Sequence, residues 1–176
     1  MKINLYGLKA IYLHEMDRFR RTLGQSLLSP VISTSLYFIV FGSVIGGYVQ
    51  KIDGISYGSY IVPGLLMLTL LTQSISNTSF GIFFPKFNGT IYEILAAPIS
   101  TFEIVLAFVS AGATKTLIVG TVIFITASFF VDVEVQFPLL MIFLLILVSF
   151  TFALFGFLIG ILSKDFEQMS IVPSLV

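Results

Sequence analysis

The chain has 176 residues, of which 57% are hydrophobic and only 10% are charged. Soluble domains carry about a quarter charged residues, so this composition excludes an ordinary soluble protein. The formal net charge is zero and there are no cysteines, so neither a nucleic-acid partner nor a disulfide framework or thiolate metal site is indicated. The long uncharged runs also lack the alternating ten-residue segments of a β-barrel. We therefore predict an all-α integral membrane protein.

Residues 3–23 have the pattern of an amphipathic helix. Apolar side chains recur there at steps of three and four residues, and the charged side chains lie largely off that stripe. The stripe contains Leu5, Leu8, Tyr12, Met16, Phe19 and Leu23. Such a helix is typical of the membrane interface, with its basic residues facing lipid headgroups. A cytosolic helix that packs against another subunit is the alternative.

Four apolar segments are each long enough to cross a bilayer, which requires roughly 20 residues. We expect these transmembrane helices at about residues 26–49, 57–84, 103–130 and 137–162. The chain becomes apolar again at about residue 169, where a fifth span is expected to begin. Since only a few residues follow, we expect a truncated chain that forms a single transmembrane domain over residues 1–176.

Proline and glycine positions add detail to these spans. Pro30 is expected near the start of the first span, where its missing amide does little harm. Gly42 with Gly46 and Gly156 with Gly160 have the four-residue spacing that lets two membrane helices approach closely.

Polar residues inside the spans are candidates for a translocation path. Thr69, Thr72, Gln73 and Ser76 fall on about a third of the circumference of the second span, because successive helical residues are 100 degrees apart. They line a polar path or bridge neighbouring helices by hydrogen bonds, and the sequence leaves both interpretations open. Lys115 lies near the middle of the third span, where a lysine costs about 2.5–3.5 kcal/mol. Either it has a substrate role, or it pairs structurally with a carbonyl group or with a carboxylate that is absent from this sequence.

A short polar segment, residues 86–103, separates the second and third spans. Thr90 precedes Glu93 by three residues, which is the spacing of a capping box at the start of a helix. Ser100 and Glu103 repeat this spacing at the start of the third span. We therefore predict a small helix between the two spans, with a cap at each of these positions.

The small helix is expected to have one apolar face. Ile91, Ile94 and Leu95 lie on the same side by helical spacing, and Pro98 ends the helix. A helix of this kind docks into a groove of a partner protein or lies on the membrane surface.

Basic residues near the span ends indicate the orientation of the chain. With a cytoplasmic N-terminus, one lysine, Lys51, is outside. The basic residues then inside are Lys2, Lys9, Arg18, Arg20, Arg21, Lys86 and Lys164. The positive-inside rule thus places the small helix in the cytoplasm. The segment around Lys115 lacks the glycine that a phosphate-binding loop needs before its lysine, and no catalytic or metal-binding set is found.

The order of these features resembles the ABC type-2 transporter permeases, in particular the bacterial inner-membrane permeases of the YadH kind. The similarity covers essentially the whole chain. It rests on residues 15–19, Pro30, residues 36–42 and 60–65, Glu93, Leu95, Ala97, Pro98 and residues 165–173.

The resemblance implies a permease subunit of an ATP-driven exporter in the bacterial inner membrane. Its coupling helix would bind a separate ATP-binding cassette subunit through Thr90, Ile91, Tyr92, Glu93, Ile94 and Leu95. ATP and Mg²⁺ would be bound by that ATPase, with no cofactor on this chain, and two permease copies would form a homodimer. The family has six spans, so the final third would be missing. A secondary transporter or channel, or a membrane scaffold protein, is the alternative, and the substrate stays open.

Overall fold

A computed structural model describes residues 4–41, 51–52, 55–131 and 135–169 of the chain. Within these ranges the helices are α1 (Leu5–Arg21), α2 (Leu23–Val40), α3 (Tyr57–Phe87), α4 (Ile91–Ala96), α5 (Thr101–Ser128) and α6 (Pro138–Leu162). Two antiparallel strands of two residues each, β1 (Lys51–Ile52) and β2 (Ile55–Ser56), precede α3. A further helical turn covers residues 166–169. Gly42, Gly46 and the expected course of the fifth span beyond residue 169 lie outside the described residues.

The predicted all-α membrane fold is confirmed. Four of the helices, α2, α3, α5 and α6, are long and apolar enough to cross a membrane. Helix α2 begins three residues before the first expected segment, and α3, α5 and α6 overlap the segments 57–84, 103–130 and 137–162. The small helix α4 lies between α3 and α5, as the polar segment predicted.

The expectation for Pro30 is wrong. Thr22 alone separates α1 from α2, so α2 begins at Leu23 and Pro30 lies buried in the helix interior. Proline has no backbone N–H, so it cannot donate the bond that the carbonyl four residues earlier would accept. The first span therefore contains a weakened turn instead of a proline-stabilised start.

Helices α3 and α6 cross with their backbones in close contact at two glycines. A Cβ atom at Gly160 would lie 2.6 Å from the carbonyl oxygen of Ser79, and one at Gly156 would collide with the carbonyl oxygen of Ile75. Gly156 and Gly160 are one helical turn apart on α6, and Ile75 and Ser79 are one turn apart on α3. The same close contact is therefore repeated one turn further along both helices. The prediction that Gly156 and Gly160 form a close-packing pair is confirmed.

The main buried core lies between α3, α5 and α6. It includes Ile82 of α3, Phe108 of α5 and Phe157 of α6. The phenyl rings of Phe108 and Phe157 are 6.2 Å apart between centroids. In contrast, most of the leucine and isoleucine side chains of α6 are exposed on its outer faces, as expected of a helix that a bilayer surrounds.

Candidate coupling helix and translocation path

The entry to α4 is a tight turn at Gly89. This glycine has a φ of 79°, a left-handed conformation that residues with a Cβ rarely adopt. The predicted cap at Thr90 is wrong, because the backbone of Thr90 is already helical and its side chain makes no capping bond. Its hydroxyl instead donates to the carbonyl oxygen of Pro85 at 3.4 Å. An N-cap side chain reaches the amides of the first turn from an extended backbone, which Thr90 does not have.

The apolar side chains of α4 point in two directions. Ile91 and Ile94 are half-buried and pack against the core between α3, α5 and α6. Tyr92 and Leu95 are 74% and 58% exposed, and Glu93 is also exposed. The expected single face of Ile91, Ile94 and Leu95 is therefore divided, because the membrane domain itself covers the two isoleucines. We call the surface that the exposed residues Tyr92, Glu93 and Leu95 form the outward face of α4.

The residues that follow α4 are hydrogen-bonded to the residue that precedes α1. Ser100 and Glu103 form the predicted capping box at the start of α5, which is confirmed. One carboxylate oxygen of Glu103 also accepts a hydrogen bond from the backbone N–H of Asn4. The side-chain amide of Asn4 donates to the carbonyl oxygen of Pro98 at 3.2 Å. The N-terminal ends of α1 and α5 thus share one set of polar contacts.

Helix α1 packs alongside α5 from the N-terminal end of α5 to beyond its middle. The hydroxyl of Tyr12 donates to Thr114 Oγ1 at 3.1 Å, and Phe19 packs against Val119 and Ile123 further along. Most of the predicted apolar stripe therefore faces α5, although Leu5 at the start of the helix is 67% exposed. The position of α1 at the membrane interface stays a prediction.

Lys115 of α5 has a carboxylate partner on α1. Its Nζ lies 2.7 Å from Glu15 Oε2, and both side chains are only 3% exposed. Arg18 approaches the same oxygen at 3.0 Å and is about a third exposed. The expectation that a carboxylate partner is absent from this sequence is therefore wrong, and the pairing was missed because the two residues are 100 positions apart. The available signal was that Glu15 falls between Tyr12 and Phe19 on the apolar side of α1, where an acidic residue needs a buried partner.

A groove of about 210 Å³ runs between α2 and α3. It brings together three of the predicted path residues, Thr69, Thr72 and Gln73, whereas Ser76 and Lys115 do not line it. The hydroxyls of Thr69 and Thr72 donate to carbonyl oxygens of their own helix, at 2.8 and 3.0 Å. Among the contacts described, neither threonine donates across to a neighbouring helix.

The opposite wall of the groove was not predicted. Helix α2 supplies Ser29, Ser33, Thr34 and Tyr37 to it. The steps between these residues are four, one and three, which keeps them on one side of the helix at about 100 degrees per residue, so the same helical-face test that singled out Thr69 and Thr72 would have found them. Together the two walls form a lining with hydroxyl and amide groups and no charged side chain.

Comparison with known proteins defines the class of this membrane protein. The family model of the ABC-2 type transporter matches residues 6–176. The chain therefore belongs to the ABC-2 type transporter family, and it is a transmembrane permease subunit of an ABC transporter. Permeases of this family generally work with an ATPase subunit.

Individual relatives agree with this assignment. The inner membrane transport permease YadH of Escherichia coli K12 is 36% identical over 176 residues, which is 100% of this chain and 69% of the relative. Nodulation protein J of Azorhizobium caulinodans is 23% identical over 121 residues, or 68% of this chain and 48% of the relative. No solved structure gives a significant match. The resemblance noted from the sequence is thus confirmed.

Proposed function

We propose that this permease belongs to an ATP-driven exporter of the bacterial inner membrane and that the outward face of α4 binds the ATPase subunit. The observation that carries the proposal is the exposure of Tyr92 and Leu95 on either side of Glu93. Exposed aromatic and aliphatic side chains beside a charge are typical of a protein-binding surface. ATP and Mg²⁺ bind the partner, and this chain contributes no nucleotide site.

The two faces of α4 allow it to connect the ATPase to the membrane helices. The outward face contacts the ATPase, while Ile91 and Ile94 contact the core between α3, α5 and α6. A displacement of α4 by the partner reaches the membrane helices through these two isoleucines. The contacts of Asn4 with Pro98 and Glu103 transmit the same displacement to α1.

The groove between α2 and α3 is the proposed translocation path. Thr69, Thr72 and Gln73 form one wall of it, and its open side faces the path that this copy shares with a second permease copy in a homodimer. Lys115 is assigned a structural role, because Glu15 neutralises it within the buried contact of α1 with α5. This assignment removes the main residue on which a secondary transporter or channel would depend.

The proposed orientation places the N-terminus and α4 in the cytoplasm, following the distribution of lysine and arginine residues. Lys9, an exposed basic residue in the N-terminal part of α1, then lies toward the lipid headgroups of the inner leaflet.

Cysteine crosslinking tests the proposed contact, and the chain contains no native cysteine. Tyr92→Cys and Ile91→Cys are introduced separately into the full-length protein in its native membrane, and crosslinked partners are identified. We expect Tyr92→Cys to capture an ATP-binding cassette ATPase and Ile91→Cys to capture much less, since Ile91 faces inward. Efficient labelling of Tyr92→Cys without capture of such an ATPase contradicts the proposal.

A further inference from the structure

Lys86 connects the entry of α4 to a different membrane helix. Its carbonyl oxygen accepts a backbone hydrogen bond from Gly89 at 3.4 Å, within the turn that leads into α4. Its side-chain Nζ donates to the carbonyl oxygens of Ile161 at 2.5 Å and Ser163 at 2.8 Å. One residue therefore takes part both in the α4 turn and in the C-terminal end of α6.

The end of α6 provides a favourable site for this ammonium group. The last carbonyl groups of a helix have no partner within the helix, and they carry partial negative charge. Ile161 lies in the last turn of α6 and Ser163 is its C-cap, while that turn contains no basic residue of its own. Lys86 of α3 supplies the missing cation, and its three N–H donors satisfy two carbonyls at once.

Aromatic contacts join the same two segments a second time. Phe83 and Phe87 lie three residues before and one after Lys86 on α3, and both pack edge-on against Phe166, which follows α6. The ring centroids are 4.9 and 5.1 Å apart, within the range of favourable edge-to-face pairs. The segment that leads into α4 and the segment that leaves α6 are thus held by one cation and three rings.

We propose that Lys86 is a positioning residue for coupling, which makes the C-terminal end of α6 follow the movement of α4. This inference rests on the proposed function, because binding of the ATPase is what displaces α4. With Lys86 in place, α4 and the end of α6 move together. Without it, the core contacts of Ile91 and Ile94 and the aromatic contacts remain, but the end of α6 follows α4 only in part, and less of the force from the ATPase reaches this helix.

Distance measurements between spin labels test this proposal without knowledge of the substrate. Labels at Ala96→Cys on α4 and Lys164→Cys after α6 are both exposed. The full-length permease is assembled with its ATPase in lipid nanodiscs and measured without nucleotide and after trapping with ATP and vanadate. The labelled permease is mixed with an excess of unlabelled permease, so that the distance within one copy of the dimer is measured, and we expect this distance to be the same in both states. In Lys86→Met, we expect a broader distribution without nucleotide and a shifted distance after trapping.

Two controls separate coupling from general damage. Lys86→Arg keeps a cation that reaches both carbonyls and should restore the nucleotide-independent distance. Lys9→Met removes an exposed lysine from α1 and should leave the distance unchanged. A Lys86→Met protein with the narrow, nucleotide-independent distance of the parent overturns the inference. If the proposed function is wrong, Tyr92→Cys captures no ATPase. The width of the distance distribution measured without nucleotide then still shows whether Lys86 holds the two segments together.

Discussion

Two polar regions within the described residues differ in charge and in access. Between α1 and α5, Lys115 and Glu15 form a charged pair that neighbouring side chains seal almost completely. Between α2 and α3, uncharged hydroxyl and amide groups line a groove that is open to its surroundings. An unpaired charge within a bilayer has a high free-energy cost. A hydroxyl group, in contrast, can donate a hydrogen bond to a carbonyl oxygen of its own helix. The pair between α1 and α5 is therefore suited to a structural role, and the groove between α2 and α3 is suited to the passage of a transported molecule.

The largest expected effect is at the sealed pair. Lys115→Met leaves Arg18, which is about a third exposed, as the cation beside the buried Glu15 carboxylate. Breaking a buried ion pair so that no partner is left costs about 3–5 kcal/mol, which is the upper limit for this variant. We expect a clear fall in the thermal unfolding midpoint of the purified full-length protein. The double variant Glu15→Gln with Lys115→Met removes both charges and should recover much of the loss. A single variant as stable as the parent would show that the pair does not hold α1 to α5.

The close contact of α3 with α6 is expected to be nearly as sensitive. Gly160→Ala places a methyl group 2.6 Å from the carbonyl oxygen of Ser79, so the two backbones must separate. Overpacking of this kind costs roughly 1–3 kcal/mol. Gly64→Ala is the matched control, because nothing lies within 4 Å of the added methyl group. Unfolding midpoints should fall for Gly160→Ala and not for Gly64→Ala, and equal midpoints would contradict the described crossing.

The outward face of α4 should affect binding more than stability. Leu95 is 58% exposed, so Leu95→Asp should leave the unfolding midpoint almost unchanged. At a protein interface a buried leucine replaced by aspartate should cost more than about 1 kcal/mol of binding energy. Co-purification of the ATPase with the full-length permease measures this loss. Ile94→Asp, on the inward face, should instead destabilise the permease, and the opposite ranking would reverse the assignment of the two faces.

The smallest effect on stability is expected in the groove. Thr72→Val removes a hydroxyl that bonds to its own helix at 3.0 Å and keeps the shape of the side chain. Substitutions at such open positions usually change stability by less than about 0.5 kcal/mol. An unfolding midpoint equal to that of the parent is therefore predicted. A loss as large as that of Lys115→Met would mean that the groove, too, is a packed structural contact.

The sequence was most informative where local spacing decides the structure. Spans, the Gly156 with Gly160 crossing and the Ser100 cap all follow from residues close together in the chain. Contacts between residues that are far apart in the chain could not be predicted from local spacing. The partner of Lys115 lies 100 positions away, and the inward turn of Ile91 and Ile94 depends on a core that three other helices build. The predicted cap at Thr90 was wrong because Thr90, which follows the turn at Gly89, already has a helical backbone.

Labelling of single cysteines with a water-soluble maleimide tests most directly whether the two polar regions differ as described. Gln73→Cys lies in the groove, while Thr116→Cys lies next to Lys115 at a fully buried position. In the full-length permease assembled with its ATPase, we predict rapid labelling of Gln73→Cys and none of Thr116→Cys in the folded protein. Labelling of Thr116→Cys together with protection of Gln73→Cys would contradict the account and return Lys115 to the translocation path.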